Sequence, residues 1–160
     1  MSARRVLTAS LLLLIVGLPL FAKGTTVRIT ITGGDLAVPI QITDPLVAGF
    51  HVWSGAGTSS NQAQGFIVDW SSGIAQPPKA LRVYEVSFFT TRRDPGTYVV
   101  RYAIDPSTDQ GYVYLPGRTD AAYRDNTWLI YRGVEGNWFH AWSAWEQVAH
   151  PLITKALKNR

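Results

Sequence analysis

The stretch 26-TVRITIT-32 alternates without a break: Val27, Ile29 and Ile31 against Thr26, Arg28, Thr30 and Thr32. A period of two over this length predicts a strand with one buried face and one wet face. Similar runs recur at 81-LRVYEVSFFT-90, 97-TYVVRYAI-104, 111-GYVYLPG-117 and 127-TWLIYR-132. Turn residues separate them: Gly33-Gly34-Asp35, then Pro95-Gly96, then 105-DPSTDQ-110. Two further runs, 36-LAVPIQIT-43 and 66-FIVDW-70, read as strands. Pro39 cannot donate to a ladder, so the first of these belongs at an edge or a bulge. The segment 46-LVAGFHVW-53 fits a strand or a short helix, 54–65 and 71–79 read as loops, and 118–126 reads as polar with a short helix. Seven to eight strands with short connections favour antiparallel pairing. The expected class is α+β or mostly β, a single antiparallel sheet or a sandwich.

The period changes near the C-terminus. Counting from Trp138 at 100° per residue, Trp138, Trp142, Trp145, Ala149, Leu152 and Ala156 form one stripe, widened by Ala141, Val148 and Ile153. Ser143, Gln147, Thr154, Lys158, His140 and His150 fall opposite. Asn137 stands where an N-cap belongs. An amphipathic helix from Trp138, packed on the sheet by its tryptophans, is the expectation.

Ahead of the first strand, Arg4 and Arg5 precede the apolar run VLTASLLLLIVGLPLF, with small residues Ala22 and Gly24 after it. This arrangement predicts a secretory signal peptide over 1–22, or to 24, followed by one globular domain over 23–160. The expected location is periplasmic or extracellular. The alternative is a membrane anchor formed by residues 6–22, although that run is shorter than a spanning helix prefers. Loss of Arg4 and Arg5 lowers the net charge from +4 to +2, and Arg92-Arg93 is then the one basic doublet. Nucleic-acid binding needs a basic patch or stripe and is not expected. The chain holds no cysteine, so an exported domain of this size relies on packing rather than disulfides.

Catalytic signatures are sparse. There is no HExxH and no GxSxG, and the glycines of 55-GAGTSS-60 lack the Gly-Lys-Ser/Thr of a phosphate loop. Asp105, Ser107 and Asp109 have calcium-loop spacing, but the glycine comes one position late and Pro116 stands where a bidentate Glu belongs. A polar hairpin turn is the better reading. No metal or cofactor is expected. The candidate catalytic groups are Glu135, placed between Gly133 and Gly136, together with His140, Asp69 and His51. Glu85 and Arg101 can pair across neighbouring strands if the register allows. Candidate ligand-binding residues are Arg132, close to Glu135 and Asn137, and the tyrosines. Tyr98 and Tyr102 share one strand face, and Tyr112 and Tyr114 share another. Half-wet aromatic faces suit sugar rings, peptides or partner proteins.

The runs GTTVRITITGGDL, PIQITDP, GFIVDW, GYVYLPG and YRGVEGNWFHAW resemble a group of exported bacterial proteins without an assigned activity. That resemblance covers most of the chain after the leader. It implies one exported domain and transfers no site residue. The reading that follows is a non-enzymatic envelope domain that binds a protein or a small ligand. One alternative is a small hydrolase using Glu135 or Asp69 with a histidine. Another is a structural or sensing partner of a regulatory system.

Overall fold

The computed structural model describes residues 25–52, 66–91, 97–123 and 133–159. The expected leader, the loop at 54–65, the turn at Pro95-Gly96, the strand 127–132 and Arg132 lie outside them. Among the described residues, seven strands form one antiparallel sheet in the order β2-β1-β4-β5-β6-β7-β3. They are β1 (Thr26–Thr32), β2 (Ile40–Ile42), β3 (Ile74–Ala75), β4 (Arg82–Thr90), β5 (Thr97–Ile104), β6 (Gly111–Tyr114) and β7 (Trp138–His140). Among the described residues there is one α-helix, α1 (Ser143–Lys158), which follows β7.

Alternation sorts the side chains of the central strands. Tyr84, Val86 and Phe88 of β4 and Tyr98, Val100, Tyr102 and Ile104 of β5 point into the core, joined by Val113 and Phe139. The chain leaves β2 at one edge and reaches β3 at the other before returning to the centre. On this crossing it lays Val47, Phe50, Val52, Phe66, Ile67 and Val68 over the same face. With α1 these residues make the second layer. Trp145 is fully buried, meeting Phe50 at 5.2 Å and Tyr102 at 5.8 Å between ring centres, both edge-on. Such contacts let the quadrupoles of large rings pack favourably.

Several expectations need correction. Val27 is 46% exposed, not buried with Ile29 and Ile31. The register slips between Thr26 and Arg28, so β1 carries one extra residue against β4. That bulge turns Thr26 inward and Val27 outward, because each added residue inverts the alternation. The run 66–70 forms only a single bridge, Val68 to Ala141, and then a 3-10 turn over Trp70–Ser72. Residues 71–79 contain the short edge strand β3 rather than loop alone. The ambiguous 46–53 opens with a 3-10 helix over Leu46–Gly49. Pro39 precedes β2, an edge strand, as its missing donor requires.

The C-terminal helix starts at Ser143, five residues later than the tryptophan stripe implied. Trp138, Phe139 and His140 pair with Tyr114, Val113 and Tyr112 as a strand. Asn137 is therefore no N-cap. Its side chain donates to the carbonyls of Val134 and Glu135 and ties the preceding turn. The buried helical stripe is Trp145, Ala149 and Ile153, four residues apart.

Candidate functional site

The sheet has two faces, and α1 lies on one. The other carries the residues that alternate with the core positions. One cross-strand row runs Val83, Ala103, Tyr112, His140, and the next runs Glu85, Arg101, Tyr114, Trp138. These eight residues come one from each of β4, β5, β6 and β7 per row. Tyr112 lies 5.1 Å from the His140 ring, and Tyr114 lies 5.1 Å from Trp138. The Arg101 guanidinium sits 5.2 Å over the Tyr114 ring. Tyr114, Trp138 and His140 are half-buried and Tyr112 is buried.

Asp120 borders this block from the segment after β6. Its Oδ1 accepts from Arg101 Nη2 at 2.8 Å. Its Oδ2 accepts from the Tyr114 hydroxyl and the Gly117 amide, both at 2.8 Å. Burial pushes the Asp120 carboxyl up, but the Tyr114 hydroxyl, the Gly117 amide and Arg101 outweigh it and hold the group below its ordinary pKa. Burial and the hydrogen bond to Asp120 push the Tyr114 phenol up. The result is an ionised carboxylate locked between a cation and a neutral phenol. The chain reaches Asp120 because Gly117 and Gly136 touch: a Cβ on Gly117 would lie 3.0 Å from Gly136 Cα. Backbone bonds from Leu115 to Asn137 and from Gly136 to Leu115 close the base of this excursion.

The sequence-predicted candidates separate. Glu135 Oε2 accepts from the Gly133 amide within its own turn, where Gly133 and Gly136 hold positive φ. Asp69 caps the 3-10 turn after it, accepting from the Ser71 amide and the Ser71 and Ser72 hydroxyls. The Ser71 hydroxyl, then that of Ser72, hold it below the usual carboxylate range. Asp69 meets His140 through the backbone only, N–H to C=O at 2.9 Å. His51 lies half-buried after the Leu46–Gly49 turn. Tyr98 and Tyr102, at 5% and 0% exposure, belong to the core. Tyr112 and Tyr114 lie on the opposite face, so the four tyrosines do not form one surface. Glu85 and Arg101 are direct cross-strand partners, as the spacing allowed, yet the guanidinium turns to Asp120.

The Asp105–Asp109 segment is the β5–β6 turn. Asp105 accepts from the Ser107 amide and hydroxyl and from the Thr108 hydroxyl, and Ser107 holds its pKa down. Among the described residues, no group of three or more His, Cys, Asp or Glu is placed to hold a metal.

A second polar cluster joins α1 to the sheet. The Tyr102 hydroxyl donates to Glu146 Oε1 at 2.7 Å. Burial pushes Glu146 up, against the Tyr102 hydrogen bond and the nearby His150. Gly111 leaves room for this carboxylate, since a Cβ there would lie 2.5 Å from Glu146 Cδ and 2.8 Å from Oε2. His150, one turn on, has Nε2 3.9 Å from Asp109 Oδ1. A groove of about 700 Å³ runs along this side of α1, past Glu146, His150, Thr154 and Lys158.

Sequence reasoning missed Asp120, Trp138 as a strand residue, and Glu146. The four-residue spacing of Glu146 and His150 was the available signal for the last. Nothing local marks Asp120, whose partners lie 3, 6 and 19 residues away. No protein-family model, curated protein or solved structure matches the chain.

Proposed function

We propose that this is an exported, non-enzymatic domain of the cell envelope that binds a partner through the sheet face opposite α1. The observation that supports the reading is the half-exposed ladder Arg101, Tyr114, Trp138, with Tyr112 and His140 beside it and Asp120 locking its polar end. Rings held on a rigid sheet present contact area at low entropic cost, and prebuilt hydrogen bonds leave little to order on binding. The hydrolase alternative has less to rest on. Asp69 spends both carboxylate oxygens on its own turn, and Glu135 directs Oε2 back to the Gly133 amide.

Export is read from the basic and apolar pattern over 1–22 and from the resemblance to exported proteins. Intact-mass measurement of the protein from an envelope fraction tests that part, expecting loss of 22 or 24 residues. The binding part is tested by amide NMR of the isotope-labelled domain with an envelope extract. Shifts should concentrate at Arg101, Tyr112, Tyr114, Trp138 and His140. Shifts confined to α1, or none, would refute it.

A further inference from the structure

The row Glu85, Arg101, Tyr114, Trp138 spans four adjacent strands and is about 14 Å long at the usual strand spacing. Its ends differ in chemistry. At one end stand an indole and a phenol 5.1 Å apart. At the other, Glu85 and Arg101 oppose each other directly, with both residues exposed. Arg101 keeps about half of its side chain in water (49%) and gives Asp120 one of its five N–H donors. Among the described residues, Glu85 has no ion-pair partner. A donor and an acceptor thus stand side by side, about 5 Å apart at their Cβ atoms. Hydroxyl groups, each both a donor and an acceptor, can meet the two together.

The charges narrow the ligand further. Arg101 lies between Glu85 and Asp120, so the polar end carries one more negative than positive charge. Phosphates and carboxylates are disfavoured by it. A cation gains little from Asp120, because both of its oxygens already accept from Arg101, Tyr114 and Gly117. The aromatic end favours apolar C–H surface, whose positive edge suits the negative face of a ring. On the reading that this face is a binding surface, we propose that the row binds a neutral saccharide of pyranose rings. The C–H face of one ring packs on Trp138, and hydroxyls of a neighbouring ring meet Arg101 and Glu85. The salt bridge to Asp120 and the stack on Tyr114 hold Arg101 in place for this.

The test is a titration of the full chain with cellohexaose, maltohexaose and chitohexaose, and separately with tetralysine, read by calorimetry and amide NMR. Saturable binding of at least one saccharide is expected. Trp138→Ala should weaken it by about tenfold or more, the equivalent of one strong contact. Glu85→Gln and Arg101→Lys, at exposed positions that leave the core untouched, should each weaken it about fivefold. His150→Ala, on α1, should leave it unchanged. Saccharide binding that ignores Glu85→Gln and Arg101→Lys overturns the proposal, as does failure of all three saccharides to bind. Tetralysine binding that depends on Trp138, without saccharide binding, also overturns it while leaving the binding face in place. Absence of every ligand, with no response of this face to an envelope extract, removes both readings.

Discussion

Gly111→Ala tests how α1 is joined to the sheet. The new methyl falls on the Glu146 carboxylate, so that side chain must swing away and release the Tyr102 hydroxyl, now bonded at 2.7 Å. Tyr102 is 0% exposed, so its hydroxyl is left buried without an acceptor. That costs about 1–3 kcal/mol. Against it, alanine restricts the unfolded chain more than glycine does, a gain of about 0.4–1 kcal/mol. The freed carboxylate also recovers hydration, but only while it is ionised. Burial raises the Glu146 pKa in the fold, so its contribution is fully present below the unfolded value of 4.5 and is lost as pH rises through the folded value. The variant should therefore lose about 1–2 kcal/mol near pH 4, the hydroxyl cost less the glycine gain, and less than that at pH 7.5. Urea unfolding at both pH values, with Tyr102→Phe and the double variant, measures this. Other carboxylates titrate alike in both proteins, so the difference isolates Glu146. In the Tyr102→Phe background the cost of Gly111→Ala should largely vanish, a coupling of about 1 kcal/mol. A neutral Gly111→Ala, or additive effects in the cycle, would refute the argument.

Asp120→Ala should cost about 2 kcal/mol by orphaning the Tyr114 hydroxyl and the Gly117 amide. It should also lower the Tyr114 pKa toward its ordinary value, followed by ultraviolet titration of the phenol. Because Asp120 titrates below its usual value in the fold, the stability it contributes is present above the unfolded pKa of 3.8 and fades as pH falls through the folded value. The bulge in β1 predicts a contrast between neighbours measured by thermal melting: Ile29→Ala loses about 2–5 kcal/mol, whereas Val27→Ala loses less than about 0.5 kcal/mol. Asp69→Ala should cost about 1 kcal/mol through loss of its cap, leaving any ligand binding at Trp138 intact in calorimetry.

The open face was half legible. Period-two alternation placed Tyr112 and Tyr114 on one side of their strand and Tyr98 and Tyr102 on one side of another. It could not say that the two sides are opposite faces of the sheet. That follows from register: Tyr102 pairs with Val113, not with Tyr112. Trp138 was misread because its spacing to Trp142 and Trp145 fits a helix as well as chance allows. In the fold its neighbour Phe139 joins the core beside Val113, its ring 5.3 Å from that of Trp70, and a strand is the local form that turns Phe139 inward and Trp138 outward.

What the residues alone determined was local. Alternation over 26–32, 81–90 and 97–104 specified strands, Pro39 restricted its strand to an edge or a bulge, and the 145, 149, 153 spacing specified a helical stripe. Each follows from backbone geometry acting over a few residues. The tertiary structure decided the rest: where β1 bulges, where the helix begins, which tyrosines are core, and that Asp120 meets Arg101. These depend on pairing between distant segments, and a single-residue shift in pairing exchanges the faces of a strand. No local signal carries that information.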